Sequence, residues 1–590
     1  MKCTSKVPVW RKRWWNVIGF IAVSAMLLGP VLACGSGPTT TVTGPTVTVT
    51  GPTATVPGPT ATVAGPTTTV AGPTTTVTGP AVTVTGPTTT VVGPWTKVCD
   101  VKEFAKVVPA DTTVTSANLF DTPVRGCKVE GYVTTKGPGP NSNKVNFMVA
   151  LPDDFNGRFF FVGVGGTIGR VPEPPKAQLT AGYAVAGTDG GNTRAGLDYS
   201  IGLDPTMALD YASRGTHVST VAAKEITNSY YYGRGPNRPR LFSYITGCSG
   251  GARQGFTAAE VYPKDFDGVL ISGAGAPDLV RVGNALVFGH IIYFLQNNPA
   301  SYISPATLAT LEAAVVKEWD AVDGAVDGIV AYPWTVTYDG LVSLNNRLGI
   351  LTEAQLKTAR LFVEHSYRAD YARRPANLPT TWASIMGATP PPWQAGDVFP
   401  ATGGRVFQST AQGLYGLNYD WLSFDFNDPA QIADFFAKHD KVFQYNTGKP
   451  DPYLSAFKDA GGKLLYMHGT GDILQSAMES NRYYNDLARY YGGIQEAQKF
   501  ARFVLVPGLG HCSGGIGPQD VHDVGLAALA NWVEKGQAPT TFKATNPTSK
   551  RTFLLCVYPQ VAIFKGGVDN PSKLDVNDYS NWACGPLKLP

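Results

Sequence analysis

Charged residues are scarce in this chain, and the two signs balance. Lys and Arg number 48 and Asp and Glu 44 among 590 residues, so only 16% of the residues are charged. Five basic and no acidic residues lie before position 34, which leaves 43 basic against 44 acidic residues, a net charge of −1, in the rest. Without a basic surplus, the chain is not expected to bind nucleic acid or another polyanion.

Residues 37–94 contain no charged and no aromatic residue. From Gly37 to Val92 a seven-residue unit of the form G-P-T-x-T-V-x occurs eight times. Glycine every seventh residue excludes collagen, and the lack of large apolar side chains excludes a hydrophobic core. Pro and Thr favour an extended, semi-rigid chain, so residues 34–94 are predicted to form a stalk.

A long apolar run, Trp14–Leu28, follows the basic N-terminus and predicts a targeting segment over residues 1–33. Val31-Leu32-Ala33-Cys34 resembles a bacterial lipobox, in which Cys34 would become the lipidated first residue. An ordinary signal peptide is the alternative, whereas Gly29-Pro30 disfavours a transmembrane anchor. We therefore expect an extracellular or cell-surface protein that contacts the membrane only through a lipid at Cys34.

Cysteine is also rare, and its use agrees with secretion. Of eight cysteines, Cys3 lies in the targeting segment and Cys34 at its end. The other six are Cys99, Cys127, Cys248, Cys512, Cys556 and Cys584. Six cysteines permit fifteen pairings. Pairing sequence neighbours among the outer four gives Cys99–Cys127 and Cys556–Cys584 and leaves Cys248 with Cys512.

Residues 240–255 show a strand-turn-helix pattern with a serine in the turn. A β-branched and aromatic run, Leu241–Thr246, meets Gly247-Cys248-Ser249-Gly250-Gly251, and the helix-compatible segment Ala252–Val261 follows. Glycines on both sides of Ser249 permit the strained turn of a nucleophile elbow. The G-x-S-x-G pattern alone is weak evidence in a glycine-rich chain.

Two later segments offer partners for this serine. Val504–Val506 is a short apolar strand that leads into a glycine-rich loop carrying His511. Lys463–Met467 is another buried-strand pattern, and the loop after it carries Asp472. The order Ser249, Asp472, His511 is the order of an α/β-hydrolase triad. If Ser249 and His511 meet, their neighbours Cys248 and Cys512 come close enough for a disulfide to be geometrically possible. Asp189 is the rival acid, but it precedes the serine.

A glycine-rich loop, Gly163–Gly169, follows the predicted strand Phe159–Val162. At this place an α/β-hydrolase finds one of its oxyanion-hole N–H groups, which predicts Gly166 together with Gly250 for that role. A phosphate-binding loop is the alternative, but the Lys-Ser/Thr ending and acidic partner of nucleotide motifs are absent.

Residues 277–455 lack strand alternation and are rich in aromatic side chains. We predict a lid inserted into an α/β-hydrolase core of residues 95–276 and 456–590. Aromatic side chains suit an aromatic ligand, or they form the core of the lid itself. The lid aromatics are Trp382, Trp393, Phe399, Tyr415, Tyr419, Trp421, Phe424 and Phe426.

Asp320, Asp323 and Asp327 lie within eight residues inside the lid, each near a turn. Hard oxygen ligands at this density suit Ca²⁺, although the spacing and the missing final Glu exclude an EF-hand. Solvated Asp-Gly turns are the alternative.

From about residue 99 to 584 the chain resembles the tannase and feruloyl esterase family, which includes mono-hydroxyethyl terephthalate hydrolases. The segments that carry the resemblance are Gly247–Gly251, His468–Asp472 and Pro507–Gly515, with the paired-cysteine triad as its hallmark. The resemblance implies a structural calcium in the lid, held by the side chains of Asp320, Asp323 and Asp327 and by the carbonyls of Ala325 and Ile329. Trp319 stands where many members have a cysteine, which implies a looser loop or weaker calcium binding.

The resemblance also implies a serine esterase that acts on aromatic carboxylic esters. The expected substrates are feruloyl, galloyl or terephthalate-monoester compounds, with no redox or nucleotide cofactor. A binding module for polysaccharide or polyphenol on a degenerate core is the alternative, and a serine peptidase is a third possibility. The sequence leaves the oligomeric state open.

Overall fold

The computed structural model describes residues 97–586 except 195, 274–282, 365–381, 383–384, 395–400, 444–452, 473 and 568–573. All of them belong to the compact unit of residues 90–590. The predicted targeting segment, Cys34 and the stalk lie outside the described residues. Among the described helices, none is long and apolar enough to cross a membrane.

Nine strands form one mixed sheet in the order β1-β2-β3-β5-β4-β6-β7-β8-β9. They are β1 (Thr112–Phe120), β2 (Gly126–Thr135), β3 (Asn143–Pro152), β4 (Arg158–Val162), β5 (Ala184–Thr188), β6 (Phe242–Cys248), β7 (Gly268–Ser272), β8 (Lys463–Gly469) and β9 (Ala501–Val506). Strands β1, β2, β3 and β5 pair antiparallel, and the pairs from β5 to β9 are parallel. The parallel half carries the predicted catalytic residues at its carboxyl edge.

Helices of the core flank this sheet. They are α1 (Val101–Ala105), α2 (Lys176–Thr180), α3 (Pro205–Leu209), α4 (Gly215–Tyr232), α5 (Gly250–Val261), and later α12 (Ser455–Asp459), α13 (Ala477–Tyr490), α14 (Ile494–Ala497) and α15 (Val521–Lys535). Two small antiparallel pairs follow: β10 (Thr541–Thr545) with β11 (Thr552–Cys556), and β12 (Val561–Phe564) with β13 (Trp582–Gly585).

The sheet is buried on both faces, which explains why its parallel strands are near-continuous apolar runs in the sequence. Alternate side chains of β8 enter opposite cores: Leu464 and Tyr466 pack with residues of α4, α5 and α13. Leu465 and Met467 pack on the other face with α2, α15 and the β10–β11 pair. A mixed sheet between two helical layers fits the predicted α/β-hydrolase core.

The insertion between β7 and β8 is helical in its described residues. Its helices are α6 (Gly283–Asn297), α7 (Pro305–Trp319), α8 (Tyr338–Leu348), α9 (Glu353–Glu364), α10 (Thr402–Tyr415) and α11 (Pro429–Phe443). The lid has cores of its own, in which Trp382 stacks on Phe362 at 4.6 Å between ring centroids. Trp421, Phe424 and Phe426 are buried in a second lid cluster. These aromatic side chains therefore pack in the lid itself, and Phe399 lies outside the described residues.

Three disulfides confirm the predicted pairing. Cys99–Cys127 fastens the segment before α1 to β2, and Cys556–Cys584 fastens β11 to β13. Cys248–Cys512 joins the end of β6 to the loop after β9.

Candidate active site

Ser249 stands in a strained turn between β6 and α5. Its φ of 59° and ψ of −119° are values that non-glycine residues rarely adopt. The turn is tight because β6 and α5 touch: a Cβ on Gly247 would lie 2.3 Å from the carbonyl carbon of Gly251. The Ser249 N–H donates to the Ser272 carbonyl of β7 at 3.0 Å, which ties the turn to the next strand. This is the geometry of a nucleophile elbow.

His511 is brought to this turn by the disulfide beside it. Cys248 precedes Ser249, Cys512 follows His511, and the Cα atoms of the two cysteines are 5.6 Å apart. Cys512 also has a positive φ, 67°, so the turns that carry Ser249 and His511 both hold a strained non-glycine residue. The structure thus brings the predicted serine and histidine segments together.

Asp472 lies in the loop after β8 and is fully buried, with a side chain 1% exposed. Both of its carboxylate oxygens are 2.9 Å from His511 Nδ1. The N–H groups of Leu474 and Gln475 donate to Oδ1 at 2.8 and 2.9 Å. Burial alone would raise the pKa of this carboxyl, but the charge of His511 and hydrogen bonds from His468 and His511 hold the pKa well below its ordinary value. Asp472 is therefore an ionised acceptor that fixes the His511 ring.

Two residues of the site were missed by sequence reasoning. His468, near the end of β8, places Nε2 3.1 Å from Asp472 Oδ2. Gly273, at the end of β7, has a φ of +55°, and a Cβ there would lie 2.6 Å from Cys248 Sγ, 3.3 Å from Asp472 Oδ2 and 3.5 Å from His511 Nδ1. Both residues stand at the carboxyl end of a parallel strand, and His468 also begins a segment that carries the family resemblance, but neither signal assigns a role to them.

The two glycines predicted for the oxyanion hole approach each other closely. A Cβ on Gly250 would lie 2.2 Å from the carbonyl oxygen and 2.8 Å from the nitrogen of Gly166. The loop is held on α5 because Gln254, which is 1% exposed, accepts the Val164 N–H at 2.8 Å. Backbone N–H groups of the two segments are therefore available within one small region beside Ser249.

Asp189, the rival acid, belongs to a turn. Its Oδ1 accepts the N–H groups of Asn146 and Gly191 at 3.0 and 2.8 Å, and Oδ2 accepts the Asn146 side-chain amide at 2.5 Å. His511 is bonded to Asp472 and not to Asp189. The downstream carboxylate is the one that the structure joins to the histidine.

A large cavity opens between the core and the lid next to the glycine-rich loop. Its volume is about 820 Å³, and its walls include Arg194, Asp198 and Ser200 from the core and Arg405, Gln412 and Tyr419 from the lid. Gly196, also in the wall, accepts the Thr167 N–H at 2.8 Å, one residue after Gly166. A cavity of this size accommodates a small organic ligand.

The acidic lid loop is buried and compact. Asp320 accepts the N–H groups of Asp327, Gly328 and Ile329 at 2.9 to 3.3 Å, and Asp323 accepts that of Ala325 at 3.0 Å. Asp327 forms an ion pair with Arg551. Within the described ranges, no group of three or more His, Cys, Asp or Glu side chains is placed so that it could hold a metal ion.

The charge of this loop nevertheless fits a cation. The side chains of Asp320, Asp323 and Asp327 are buried, and Arg551 is the one basic side chain that ion-pairs with them in the described part of the chain. Burial raises the pKa of Asp320 above its ordinary value and that of Asp323 to about 7. A cavity of about 20 Å³, large enough for one ion or water, is lined by Asp323, Asp327 and Arg551. Carboxylate oxygens are ligands that calcium prefers, but in this loop they accept hydrogen bonds from backbone N–H groups.

Comparison with known proteins agrees with this geometry. Residues 127–581 match the family described as tannase and feruloyl esterase. A probable feruloyl esterase B-2 of Aspergillus terreus is 29% identical over 532 residues, covering 82% of this chain and 92% of that protein. Solved structures of feruloyl esterase B from Aspergillus oryzae and of a tannin acyl hydrolase from Aspergillus niger share the α/β fold. Their TM-scores are 0.67 and 0.62, at 23% and 18% identity, and each match covers 82% of this chain and 100% or 95% of the other.

Since the family match spans most of the chain and the fold agrees, the chain belongs to the tannase and feruloyl esterase family of carboxylic ester hydrolases.

Proposed function

We propose that this protein hydrolyses esters of aromatic carboxylic acids through a Ser249–His511–Asp472 triad and an acyl-enzyme intermediate. The observation that carries the proposal is the pairing of His511 Nδ1 with the buried Asp472, beside a disulfide whose other cysteine precedes Ser249. A nucleophilic serine needs a base at hand and a third group that orients the base, and these segments supply all three.

In this mechanism Ser249 Oγ attacks the ester carbonyl carbon while His511 Nε2 takes the hydroxyl proton. The tetrahedral oxyanion is stabilised by the N–H groups of Gly250 and Gly166. Collapse breaks the bond to the alcohol, which leaves with the proton from His511. Water then attacks the acyl-enzyme with His511 as base, and the acid is released with Ser249 regenerated. Asp472 holds the imidazole in the required tautomer and stabilises its cation.

The substrate is expected to enter the cavity of about 820 Å³, because a wall of this cavity hydrogen-bonds to the loop of Gly166. Its lining includes polar groups as well as apolar ones: two arginines, two aspartates and the phenol of Tyr419 lie among its side chains. Such groups suit an acyl or alcohol part that carries hydroxyl or carboxyl groups. Comparing the turnover of a ferulate ester, a gallate ester and mono-hydroxyethyl terephthalate would identify the preferred acyl group.

The triad is tested by Ser249→Ala, His511→Ala and Asp472→Asn, each of which should lower kcat by orders of magnitude in a folded protein. Because triad members act together, the Ser249→Ala/His511→Ala protein should be hardly slower than either single variant. Activity that persists in Ser249→Ala would refute the mechanism. A fluorophosphonate probe should label the wild type and not Ser249→Ala, whereas no labelling of the wild type would favour a binding module. Faster amide than ester turnover would favour a peptidase.

We also propose that Asp320, Asp323 and Asp327, with the carbonyls of Ala325 and Ile329, hold a structural Ca²⁺ in the lid. The support is the presence of three buried carboxylates with one ion-paired arginine. Calcium bound there would supply the missing positive charge, and it has no part in the chemical steps.

For the location, we propose a protein anchored outside the cell through a lipid on Cys34. Three disulfides support an oxidising compartment. Cys34→Ser should release the protein from the membrane fraction, since the stalk has no apolar face. A Cys34→Ser protein that stays in the membrane fraction would favour an uncleaved helix at residues 14–28.

A further inference from the structure

A second histidine, His468, shares the carboxylate of Asp472 with His511. His468 Nε2 lies 3.1 Å from Asp472 Oδ2, and neither side chain is exposed by more than 1%. We propose that His468 is a positioning residue: it donates a hydrogen bond that orients the Asp472 carboxylate and limits how much negative charge this carboxylate offers to His511. This role of His468 rests on the proposed triad and adds to it one buried residue that contacts Asp472.

The partners of His468 define which nitrogen carries a proton. Nε2 is 3.2 Å from the Gln475 carbonyl oxygen, which can only accept, so Nε2 must be the donor to both Gln475 and Asp472. Nδ1 is 2.6 Å from Ser480 Oγ on α13, and Ser480 Oγ in turn contacts the Tyr466 hydroxyl. We assign Nδ1 as the acceptor of the Ser480 hydroxyl proton, so that the Nε2 proton of His468 faces Asp472.

The hydrogen bond from His468 differs from the other hydrogen bonds to Asp472 in the element that supplies the donor. The N–H groups of Leu474 and Gln475 belong to the loop of Asp472 itself and both bind Oδ1. His468 lies on β8, so its bond to Oδ2 fixes the carboxylate to the rigid sheet. His511 contacts both oxygens at 2.9 Å, an arrangement that requires the carboxylate plane to be held in one orientation. Among the described residues, His468 is the side chain that supplies this constraint.

Loss of the donor should have two consequences. The carboxylate gains freedom to rotate, and a misplacement on the order of 1 Å at a catalytic group costs about a hundredfold in rate, so a ten- to hundredfold loss of kcat is expected. Without His468, Oδ2 of Asp472 also loses a hydrogen bond. The carboxylate then offers more negative charge to His511 and stabilises the protonated form of this histidine. The acid limb of the kcat/KM profile should therefore move to higher pH, while KM changes little.

The test compares His468→Leu, which removes the donor, with His468→Gln, whose amide can still donate to Asp472. Rates of methyl ferulate or methyl gallate hydrolysis are measured against pH and expressed per folded molecule. His468→Leu should lose kcat and shift the acid limb, and His468→Gln should recover most of both. Tyr484→Phe is the matched control, since Tyr484 is buried on the same helix as Ser480 and its hydroxyl bonds only the Ala501 carbonyl in the described residues. It should lower stability without moving the pH profile.

A His468→Leu protein with unchanged kcat per folded molecule and an unmoved acid limb would overturn the inference, because His468 would then be merely structural. If His468→Leu does not fold, Ser480→Ala decides by the same readouts, with a smaller loss and a shift in the same direction expected. Failure of the triad itself is recognised separately, by activity that persists in Ser249→Ala. An inactive Ser249→Ala with a normal His468→Leu refutes only the role of His468.

Discussion

Removing the Cys248–Cys512 disulfide should affect both stability and catalysis, and the structure predicts the two effects separately. The bond closes a loop with a sequence separation of 264. Chain-entropy arithmetic gives a loss of about 5 to 6 kcal/mol for opening a loop of this length. The cysteines also hold the turns of Ser249 and His511 together, so the His511 loop should move in Cys248→Ala/Cys512→Ala. A shift of about 1 Å would lower kcat by about a hundredfold.

The chain contains a matched control for this experiment. Cys556–Cys584 has a sequence separation of 28 and lies in the small strands after α15. The same arithmetic gives about 3 to 4 kcal/mol for its removal, and no catalytic residue adjoins it. Cys556→Ala/Cys584→Ala should therefore lose stability but keep kcat per folded molecule.

The assay measures the folded fraction by circular dichroism at low temperature, with kcat determined on the same samples. This correction is needed because a loss of 5 to 6 kcal/mol approaches the whole stability of many domains, about 5 to 15 kcal/mol. Normal kcat in folded Cys248→Ala/Cys512→Ala would refute a catalytic role for the disulfide. Two separately alkylated cysteines in a fully active wild type would refute the bond itself.

Three further predictions concern the surroundings of the site, the lid and pH. Gly273→Ala should lower kcat by more than about tenfold, because the new Cβ would lie 2.6 Å from Cys248 Sγ and a positive φ disfavours alanine; an unchanged kcat would contradict this packing. A chelator should lower the melting temperature, and added Ca²⁺ should restore it, in the wild type but not in Asp323→Asn; an unmoved wild-type curve with no metal by elemental analysis would contradict a calcium site. Burial lowers the pKa of His522 below its ordinary 6.5, so the unfolded chain binds a proton at this histidine more tightly than the folded chain does. The free energy of unfolding should therefore fall as the pH drops below about 6.5, by about 1.4 kcal/mol per pH unit until the pKa of the folded state is reached. The urea midpoints at pH 7.5 and pH 5 should differ less in His522→Gln than in the wild type. An equal difference in both proteins would contradict the role of His522 in this pH dependence.

Much of this architecture could be predicted because its signals are local in the sequence. The strand before Ser249, the glycines around it and the helix after it occupy one continuous segment, and the structure has β6 and α5 there. The pairing of Asp472 with His511 followed from loops that end parallel strands, since such ends meet at one edge of a sheet. The disulfide partners followed from pairing the outer four cysteines with their sequence neighbours, which left Cys248 with Cys512.

Other parts depend on contacts that no local pattern encodes. His468 is four residues before Asp472, and its role arises from the way the chain turns back after β8. Gly273 is distinguished from other glycines only by the three side chains around it. Arg551 is 224 residues from its partner Asp327, so its competition for a predicted calcium ligand could not be anticipated. The aromatic residues of the lid allowed two interpretations because burial in a helical core and ligand contact require the same side chains.

The lid interrupts the sheet between two strands that are direct neighbours, β7 and β8. The entropy of closing such an insertion grows only with the logarithm of its length, and doubling the insertion costs about 0.6 kcal/mol. The lid also has its own hydrophobic clusters, so much of its stability comes from contacts within the lid and not from contacts with the sheet. Evolution can therefore lengthen, shorten or exchange this segment while the sheet is inherited intact.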